Sequence, residues 1–323
     1  MFIQIIDDSL TTLKRPKQVK LLWSFWFSGY LFISVANSAE FSGKLDTQIR
    51  LDERSGKDVR YQYRVRAYPS LVFGENSDWS VNGFAVTGDS FSSSHNTFNH
   101  SVSDNLYLRR LFLRYASKDG KTELGVLPTY KGRVSSTGLS KDGWIKGLRH
   151  VQNVAHGQFE IVFGELKNTQ ASSALHLAKD LNFFELEYSG NINSHFSFEV
   201  SAEHLLTDNF ASGEVRYQAG IGVTYATELI HNVSSDGLKL VLSAATTVEL
   251  FSQQLEVFGY YSYVSESFGA RAELTEDFLA TGHGLAIEVE SSLNFVPLDW
   301  FAKFEVHDDN TWAQLGIKYA LNF

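Results

Sequence analysis

The stretch that decides the fold is TWAQLGIKYALNF, residues Thr311–Phe323, which closes the sequence. One parity of this stretch is apolar and ends on an aromatic residue: Ala313, Leu315, Ile317, Tyr319, Leu321 and Phe323. The other parity is mostly polar or small: Gln314, Gly316, Lys318 and Asn322. Alternation with period two is the pattern of a β-strand that has one apolar face and one wet face.

The same alternation recurs in segments of about ten residues, separated by clusters of Gly, Asn, Asp and Ser. In residues 58–73, for example, Tyr61, Tyr63 and Val65 alternate with Arg64 and Arg66. The chain has four prolines, and long strand ladders tolerate few because proline lacks the amide donor. No stretch with the helical period competes, so we predict an all-β fold.

The connections predict the topology. Short turns are expected at 118–121, which contains Asp-Gly, at 191–194 and at 295–298. Longer polar connections are expected at 90–104, 130–143 and 168–179, so that short and long connections largely alternate. A β-protein can cross a bilayer only as a closed barrel, because every backbone group must be bonded internally. We predict a transmembrane, antiparallel, up-and-down β-barrel of about 16 strands; without the segments 145–154 and 267–275 the count is 14.

Two observations fit this scheme poorly. The connection 228–237 follows a predicted strand at 213–227 and is long where a short turn is expected. Arg109 falls on the apolar parity of its strand, so we expect it near a membrane interface or beside a bulge.

Residues 1–39 are expected to be an N-terminal extension and a cleaved signal peptide. Four basic residues, from Lys14 to Lys20, precede the mostly apolar stretch 21–35, and the small residues Ala36, Ser38 and Ala39 follow. The apolar stretch is short for a helix that stays in the bilayer, which needs about 20 residues. The absence of cysteine fits an exported chain stabilised without disulfides. Residues 40–323 are then the barrel.

A final strand that alternates and ends in Phe resembles the assembly signal of bacterial outer-membrane barrels, with Tyr319, Leu321 and Phe323 as its residues. With the leader and the repeated alternation, the chain from residue 40 onward resembles a Gram-negative porin. Residues 108–115 (LRRLFLRY), with the following Asp-Gly turn, are similar to a strand pair of phosphate- and oligosaccharide-type porins, but no substrate follows from them. The resemblance implies an outer-membrane location and, as partners, lipid and lipopolysaccharide, the barrel-assembly machinery and small hydrophilic solutes. It is compatible with a homotrimer, but the oligomeric state does not follow from the sequence. It implies no nucleic acid and no cofactor.

Charge is segregated along the chain. Residues 40–150 hold seventeen Lys and Arg against twelve Asp and Glu, whereas residues 151–323 hold seven against twenty-three. The inward parity supplies a basic wall from early strands and an acidic wall from later ones, so the predicted pore-lining residues are Arg50, Arg60, Arg64, Arg66, Arg110, Arg114, Glu185, Glu187, Glu199, Glu203, Glu214, Glu249, Glu256, Glu288, Glu290 and Glu305. This predicts a passive, water-filled channel with weak cation preference, constricted by 90–104 or 130–143.

Other functions need their own residues. A barrel enzyme would carry Ser with His, or Asp with His, at its rim, and the suggestive cluster is Ser94-His95-Asn96 with His100-Ser101. We interpret these as loop residues, expect no catalytic residues, and see no metal-ligand spacing among the histidines. A non-conducting structural or adhesive barrel, or a rim-active enzyme, remains the alternative to a channel.

Overall fold

The structure is a computed structural model that describes residues 39–74, 76–88, 91, 93–98, 106–129, 139–166, 174–176, 178–220, 222–269, 271, 281–293, 295–308 and 310–323. No helix in these residues is long and apolar enough to cross a membrane. The expected leader lies outside them, apart from Ala39. The strands are Glu40–Arg54 (β1), Arg60–Phe73 (β2), Trp79–Val86 (β3), Asn96–Thr97 (β4), Tyr107–Ser117 (β5), Gly120–Pro128 (β6), Trp144–Val154 (β7), Gly157–Glu165 (β8), Phe183–Asn191 (β9), Phe196–Leu205 (β10), Asp208–Gln218 (β11), Val223–Asn232 (β12), Gly237–Leu250 (β13), Gln253–Val264 (β14), Gly282–Ser292 (β15), Asp299–His307 (β16) and Asn310–Asn322 (β17).

The strands form one closed antiparallel sheet. Apart from β3 and β4, which both pair with β2 while β3 also pairs with β5, each strand pairs with its neighbours in chain order, and β17 pairs with β1 to close the ring. The two-residue strand β4 continues the line of β3 along β2, so the wall has sixteen strands. The predicted closed barrel is therefore confirmed, and closure leaves no sheet edge unpaired.

The two faces of the wall differ as the alternation predicts. Outward-facing apolar side chains are exposed, as at Ile49 (53%), Tyr61 (61%) and Leu285 (62%), whereas the inward-facing carboxylates of Asp52 and Glu123 are fully buried. An exposed apolar belt around a whole molecule is unusual for a protein in water. It is what a barrel wall in contact with hydrocarbon needs.

The barrel has two unlike ends. One end, here called the turn end, carries the short connections 74–78, 118–119, 155–156, 192–195, 219–222, 251–252 and 293–298. The other, the loop end, carries the long connections 129–143, 166–182 and 265–281, together with the short ones 55–59, 206–207, 233–236 and 308–309. The expected short turns at 118–121, 191–194 and 295–298 are confirmed. Both ends of the sheet meet at the turn end, where Gly43 and Phe323 exchange two backbone hydrogen bonds of 2.7 and 3.0 Å.

Two predicted strands are wrong. The segment 213–227 is not one strand, because it spans the end of β11, a turn at 219–222 and the start of β12. The connection 228–237, which fitted the scheme poorly, contains the last five residues of β12, a turn at 233–236 and the first residue of β13. The segment 267–275 contains no described strand; a 3-10 helix, Glu266–Phe268, begins the connection there. The two errors offset each other in the strand count.

Candidate functional site

The interior is built first by a group of charges on β1, β2 and β17. Asp52 lies opposite Arg60 on β2 and opposite Gln314 on β17, so cross-strand neighbours can reach its carboxylate. Arg60 Nε donates to Asp52 Oδ1 at 3.2 Å, and Gln314 Nε2 and Trp312 Nε1 donate to Oδ2 at 2.9 and 2.8 Å. Deeper on the same two strands, the Asp46 carboxylate on β1 forms ion pairs with Arg64 (3.1 Å) and Arg66 (3.2 Å) on β2.

A segment between β3 and β4 leaves the wall and lies inside the barrel. At its start Thr87 donates its backbone N–H to Val65 O at 3.0 Å, and at its end Asn96 pairs with Tyr63. Between these points the described residues are Gly88, Phe91 and 93–95. Phe91 is fully buried, with its ring centroid 4.8 Å from that of Trp144. Gly88 has a φ of +72° and lies so close to the Ser94 backbone that a Cβ would clash.

A second inward segment, residues 139–143, meets the first. Ser94 Oγ donates to Asp142 Oδ2 at 2.6 Å, and Arg66 Nη1 on the wall donates to Asp142 Oδ1 at 3.1 Å. Arg110 Nη1 donates to Lys141 O at 3.1 Å while its guanidinium lies 3.7 Å above the Phe84 ring. We call the described residues of 87–97 together with 139–143 the inward segments. The regions expected to constrict the barrel, 90–104 and 130–143, overlap them at residues 91, 93–97 and 139–143, whereas residues 90, 92, 99–104 and 130–138 lie outside the described residues.

Arg109 holds the inward segments together. The register of β3 against β5 shifts between Phe84 and Ala85, which pair with Arg110 and Leu108, so Arg109 is the extra residue of a β-bulge. Its side chain is fully buried. Its guanidinium donates to the carbonyls of Gly88 (2.8 Å), Ser93 (2.9 Å), Asp142 (3.2 Å) and Thr87 (3.5 Å). The expected bulge is confirmed, and it turns this cation away from the lipid face.

Two titratable groups in the inward segments have strongly shifted pKa values. Burial raises the pKa of Asp142, but the nearby cations Arg66 and Arg64 and the hydrogen bond from Ser94 lower it by more. The pKa therefore lies well below its usual range. Burial lowers the pKa of His95 well below its usual value, and the surrounding cations Arg50, Arg64, Arg66 and Lys141 lower it more. Asp142 is therefore ionised and His95 neutral near pH 7.

The acidic side of the interior is partly neutralised by ion pairs. Arg216 bridges Glu199 (3.3 Å) and Glu214. Arg271, in the connection after the 3-10 helix, reaches across to Glu203 at 3.0 Å, and Lys303 contacts Glu305 at 2.7 Å. At the turn end a recess of 510 Å³ is lined by Glu249, Ser252, Gln254, Glu256, Glu290, Ser291, Ser292 and Asp299.

An apolar arc interrupts the polar interior at the loop end. Phe183, Leu205, Phe210, Ile230 and Val264 occupy inward positions there and are buried. Phe268, in the 3-10 helix, packs against Phe210 with ring centroids 5.7 Å apart. The inward face is therefore apolar near this end, because side chains that pack on the wall from within bury apolar surface there.

The strand register places the side chains of the predicted wall residues on the inward face, at Arg50, Arg60, Arg64, Arg66, Arg110, Arg114, Glu185, Glu187, Glu199, Glu203, Glu214, Glu249, Glu256, Glu288, Glu290 and Glu305. Tyr319, Leu321 and Phe323 lie on the outward parity near the turn end. Parity could also have identified further inward charges that the sequence reading left out, which are Asp46, Asp52, Glu123, Arg149 and Glu160. Glu228 was not predicted, because it fell in the predicted connection 228–237 and not in a predicted strand. Asp142 lies outside the strands, so no alternation of polar and apolar residues identifies it.

The Ser and His residues singled out for catalysis have structural contacts. Ser94 is fully buried and donates to Asp142, and His95 Nε2 lies 3.2 Å from Gln48 Oε1. Asn96 Nδ2 donates to Tyr63 Oη at 3.3 Å. His100 and Ser101 lie outside the described residues. Within the described part of the chain no group of His, Asp and Glu side chains could hold a metal ion.

Solved structures match this geometry, although no family model and no curated protein matches the sequence. One engineered variant of the Rh. blastica porin superposes with a TM-score of 0.60 at 9% identity, covering 88% of this chain and 100% of its own. Another variant of that porin gives 0.57 at 12% identity with the same coverage. The fold is that of a porin. At this level of identity the likeness concerns the porin fold alone.

Proposed function

We propose that this chain forms a water-filled channel in the outer membrane of a Gram-negative bacterium, through which small hydrophilic solutes and ions diffuse passively. The observation that carries the proposal is the inner wall, which is lined by ionisable side chains within a closed ring of sixteen strands. Barrels of eight strands are filled by their own side chains, whereas sixteen strands leave room for an aqueous channel.

The inward segments supply a constriction to this channel. They are attached to β1, β2, β5 and β7, through contacts such as His95–Gln48 and Arg66–Asp142. They therefore narrow the lumen from one side. The wall opposite β2 is β11, eight strands away around the ring, and it carries Glu214. A solute crossing the lumen would pass between arginines on one side and carboxylates on the other.

The proposal extends to orientation and processing. Short turns typically face the periplasm and long loops the exterior. The loop end would therefore face the cell exterior, and both ends of the barrel chain would lie on the periplasmic side. Residues 1–39 would be removed on export. The exposed apolar belt would contact lipid and lipopolysaccharide, the barrel-assembly machinery would insert the chain, and a homotrimer is the assembly we would test first.

A planar-bilayer experiment tests the channel. Refolded protein in detergent is added to one side, and stepwise conductance increases are expected, while a boiled sample of the same protein should give none. Liposome swelling with sugars of increasing size then measures the limit that the inward segments impose. Protein that shifts in SDS migration on heating, and is therefore folded, but never conducts would contradict the proposal and favour a structural or adhesive barrel.

A further inference from the structure

A donor-rich group on the inner wall lies nearer the loop end than the inward segments. We call it the Asp52 cluster, and it comprises Arg50, Arg54, Asp52, Arg60, Trp312 and Gln314. Arg54 is the last residue of β1 and Arg60 the first of β2, so these two side chains stand at the rim of the wall. The inward segments contact this wall deeper, at Gln48, Arg66 and Gln62, and Gln62 also accepts a hydrogen bond from Arg50 of the cluster.

The carboxylate of the cluster is saturated. Asp52 receives hydrogen bonds from Arg60, Trp312 and Gln314, and Arg50 Nη2 and Arg54 Nε lie 3.5 and 3.4 Å from its oxygens. A carboxylate offers about four acceptor sites, so these partners occupy them. The Asp52 side chain has no solvent exposure, so a solute cannot reach it.

The guanidinium groups are not saturated. Three of them carry about fifteen N–H donors and share one carboxylate. Arg54 and Arg60 keep 26% and 33% of their side-chain surface exposed, while Arg54 is held over the Trp312 ring at 4.1 Å. Lys303, the next cation on this wall, contacts Glu305 at 2.7 Å, so the cluster keeps a local charge of +2.

A second group of cations is balanced differently. Arg114, Lys121 and Arg149 surround Glu123, whose side chain is also fully buried. Arg149 Nε lies 3.0 Å from Glu160 as well, so two carboxylates face these three cations. The Glu123 group therefore keeps a local charge of only +1, and one of its two exposed cations is a lysine, which lacks the planar fork.

We propose that the Asp52 cluster binds small oxyanions, meaning solutes that carry a carboxylate or phosphate group, through Arg54 and Arg60. Guanidinium forks match such groups with paired hydrogen bonds. Asp52, Trp312 and Gln314 position the arginines and do not touch the solute. Oxyanion binding itself does not depend on the proposed channel. Only its role does, because a solute entering from the loop end would meet the Asp52 cluster before it reaches the constriction.

Calorimetric titration of the folded protein in detergent tests the site, with inorganic phosphate and succinate as probes at constant ionic strength. The parent should show saturable binding of at least one probe. The double variant Arg54→Gln/Arg60→Gln should weaken it by at least about tenfold, because it removes charge-assisted hydrogen bonds. The matched control is Arg114→Gln/Lys121→Gln, which removes the same charge from side chains of similar exposure (34% and 40%) and should bind like the parent.

The outcomes distinguish specific binding at the Asp52 cluster from general electrostatic attraction of anions, and they test binding separately from channel function. No saturable binding in the parent, or equal weakening in both double variants, would overturn the proposal. Heat-shifted SDS migration confirms that each variant is folded. Because the titration needs no membrane, a protein that binds oxyanions without conducting would refute only the channel. A protein that conducts without binding them would refute only the site.

Discussion

Arg109 shows how one residue out of phase can serve a structure. Its parity on β5 would point a guanidinium at hydrocarbon, which costs several kcal/mol. The bulge turns it inward, where it is fully buried and must find acceptors. Four backbone carbonyls of the inward segments supply them, so a cation that the outer face cannot tolerate holds the inward segments to the wall.

Replacing Arg109 should loosen the constriction and spare the barrel. The change Arg109→Met keeps the approximate length of the side chain but removes charge-assisted hydrogen bonds, each contributing about 1.5–3 kcal/mol. Single-channel conductance should rise and become noisier, with unchanged heat-shifted SDS migration. Arg114→Met is the control, because Arg114 contacts Glu123 on the wall and no inward segment. Conductance equal to that of the parent would show that Arg109 does not hold the constriction.

His95 should make the constriction sensitive to acid. Its pKa is lowered when it is docked near Arg50, Arg64 and Lys141, and it returns to the ordinary value of about 6.5 when released. The released state then binds more protons as pH falls below that value, so docking is favoured at neutral pH and weakens on acidification. Conductance fluctuations should increase from pH 7.5 to 4.5, and much less so in His95→Gln. An equal response in both proteins would assign the titration elsewhere.

At the scale of elements, period two gave most of the strands but not every boundary. The last pair of this hairpin is Gln218 with Thr224, and the five residues between them are an odd number, so Tyr217 and Tyr225 keep the same parity on paired strands. Alternation therefore runs through this hairpin without a break, and no periodic signal can detect it. The inward segments were unpredictable in detail for another reason: their contacts, such as Arg66 with Asp142, join residues 76 positions apart.

The seam between β1 and β17 makes a specific demand on Phe323. Its backbone is bonded to Gly43, and its ring lies 5.8 Å from that of Phe41, centroid to centroid. Deleting Phe323, or changing it to Asp, should prevent recognition by the assembly machinery and leave the chain in the periplasm to be degraded. Phe323→Tyr keeps an aromatic girdle residue and should assemble normally. The measurement is the amount of heat-shifted protein in isolated outer membranes; parental amounts of the Asp variant would refute this role.

At the scale of the whole molecule, the segregation of charge along the sequence becomes a separation of charged side chains across the barrel interior. Strands β1, β2 and β5 bring most of the inward arginines, and β8–β12 bring carboxylates on the far side. Parity and sequence half predict one mainly basic and one mainly acidic side, although Asp52 and Glu123 place carboxylates on the basic one. The pairing within each side could not be predicted, because partners such as Arg216 and Glu199 depend on register.

Reversal potentials in a salt gradient should reveal the balance of these walls. We expect weak cation preference that fades with salt, since the Debye length falls from about 10 Å at 0.1 M to about 3 Å at 1 M. Neutralising five wall arginines together should sharpen that preference. Lys57→Gln/Lys118→Gln, at exposed turn positions, should change it little. Strong anion selectivity in the parent, or no change in the five-arginine variant, would show that this wall does not line the pore. That variant carries Arg60→Gln, Arg64→Gln, Arg66→Gln, Arg110→Gln and Arg114→Gln.

The interruption between β3 and β4 separates two properties that a simple barrel would couple. Thr87 and Asn96 bond to Val65 and Tyr63, which are only two positions apart on β2. A single residue could therefore bridge Thr87 and Asn96 without disturbing the pairing on either side. In the proposed channel, the width of the barrel depends on the number of strands, whereas the width of the narrowest part depends on the segment between Thr87 and Asn96, which leaves the wall and returns to it at almost the same point. A change in the length or sequence of that segment would then alter which solutes pass and leave the barrel unchanged.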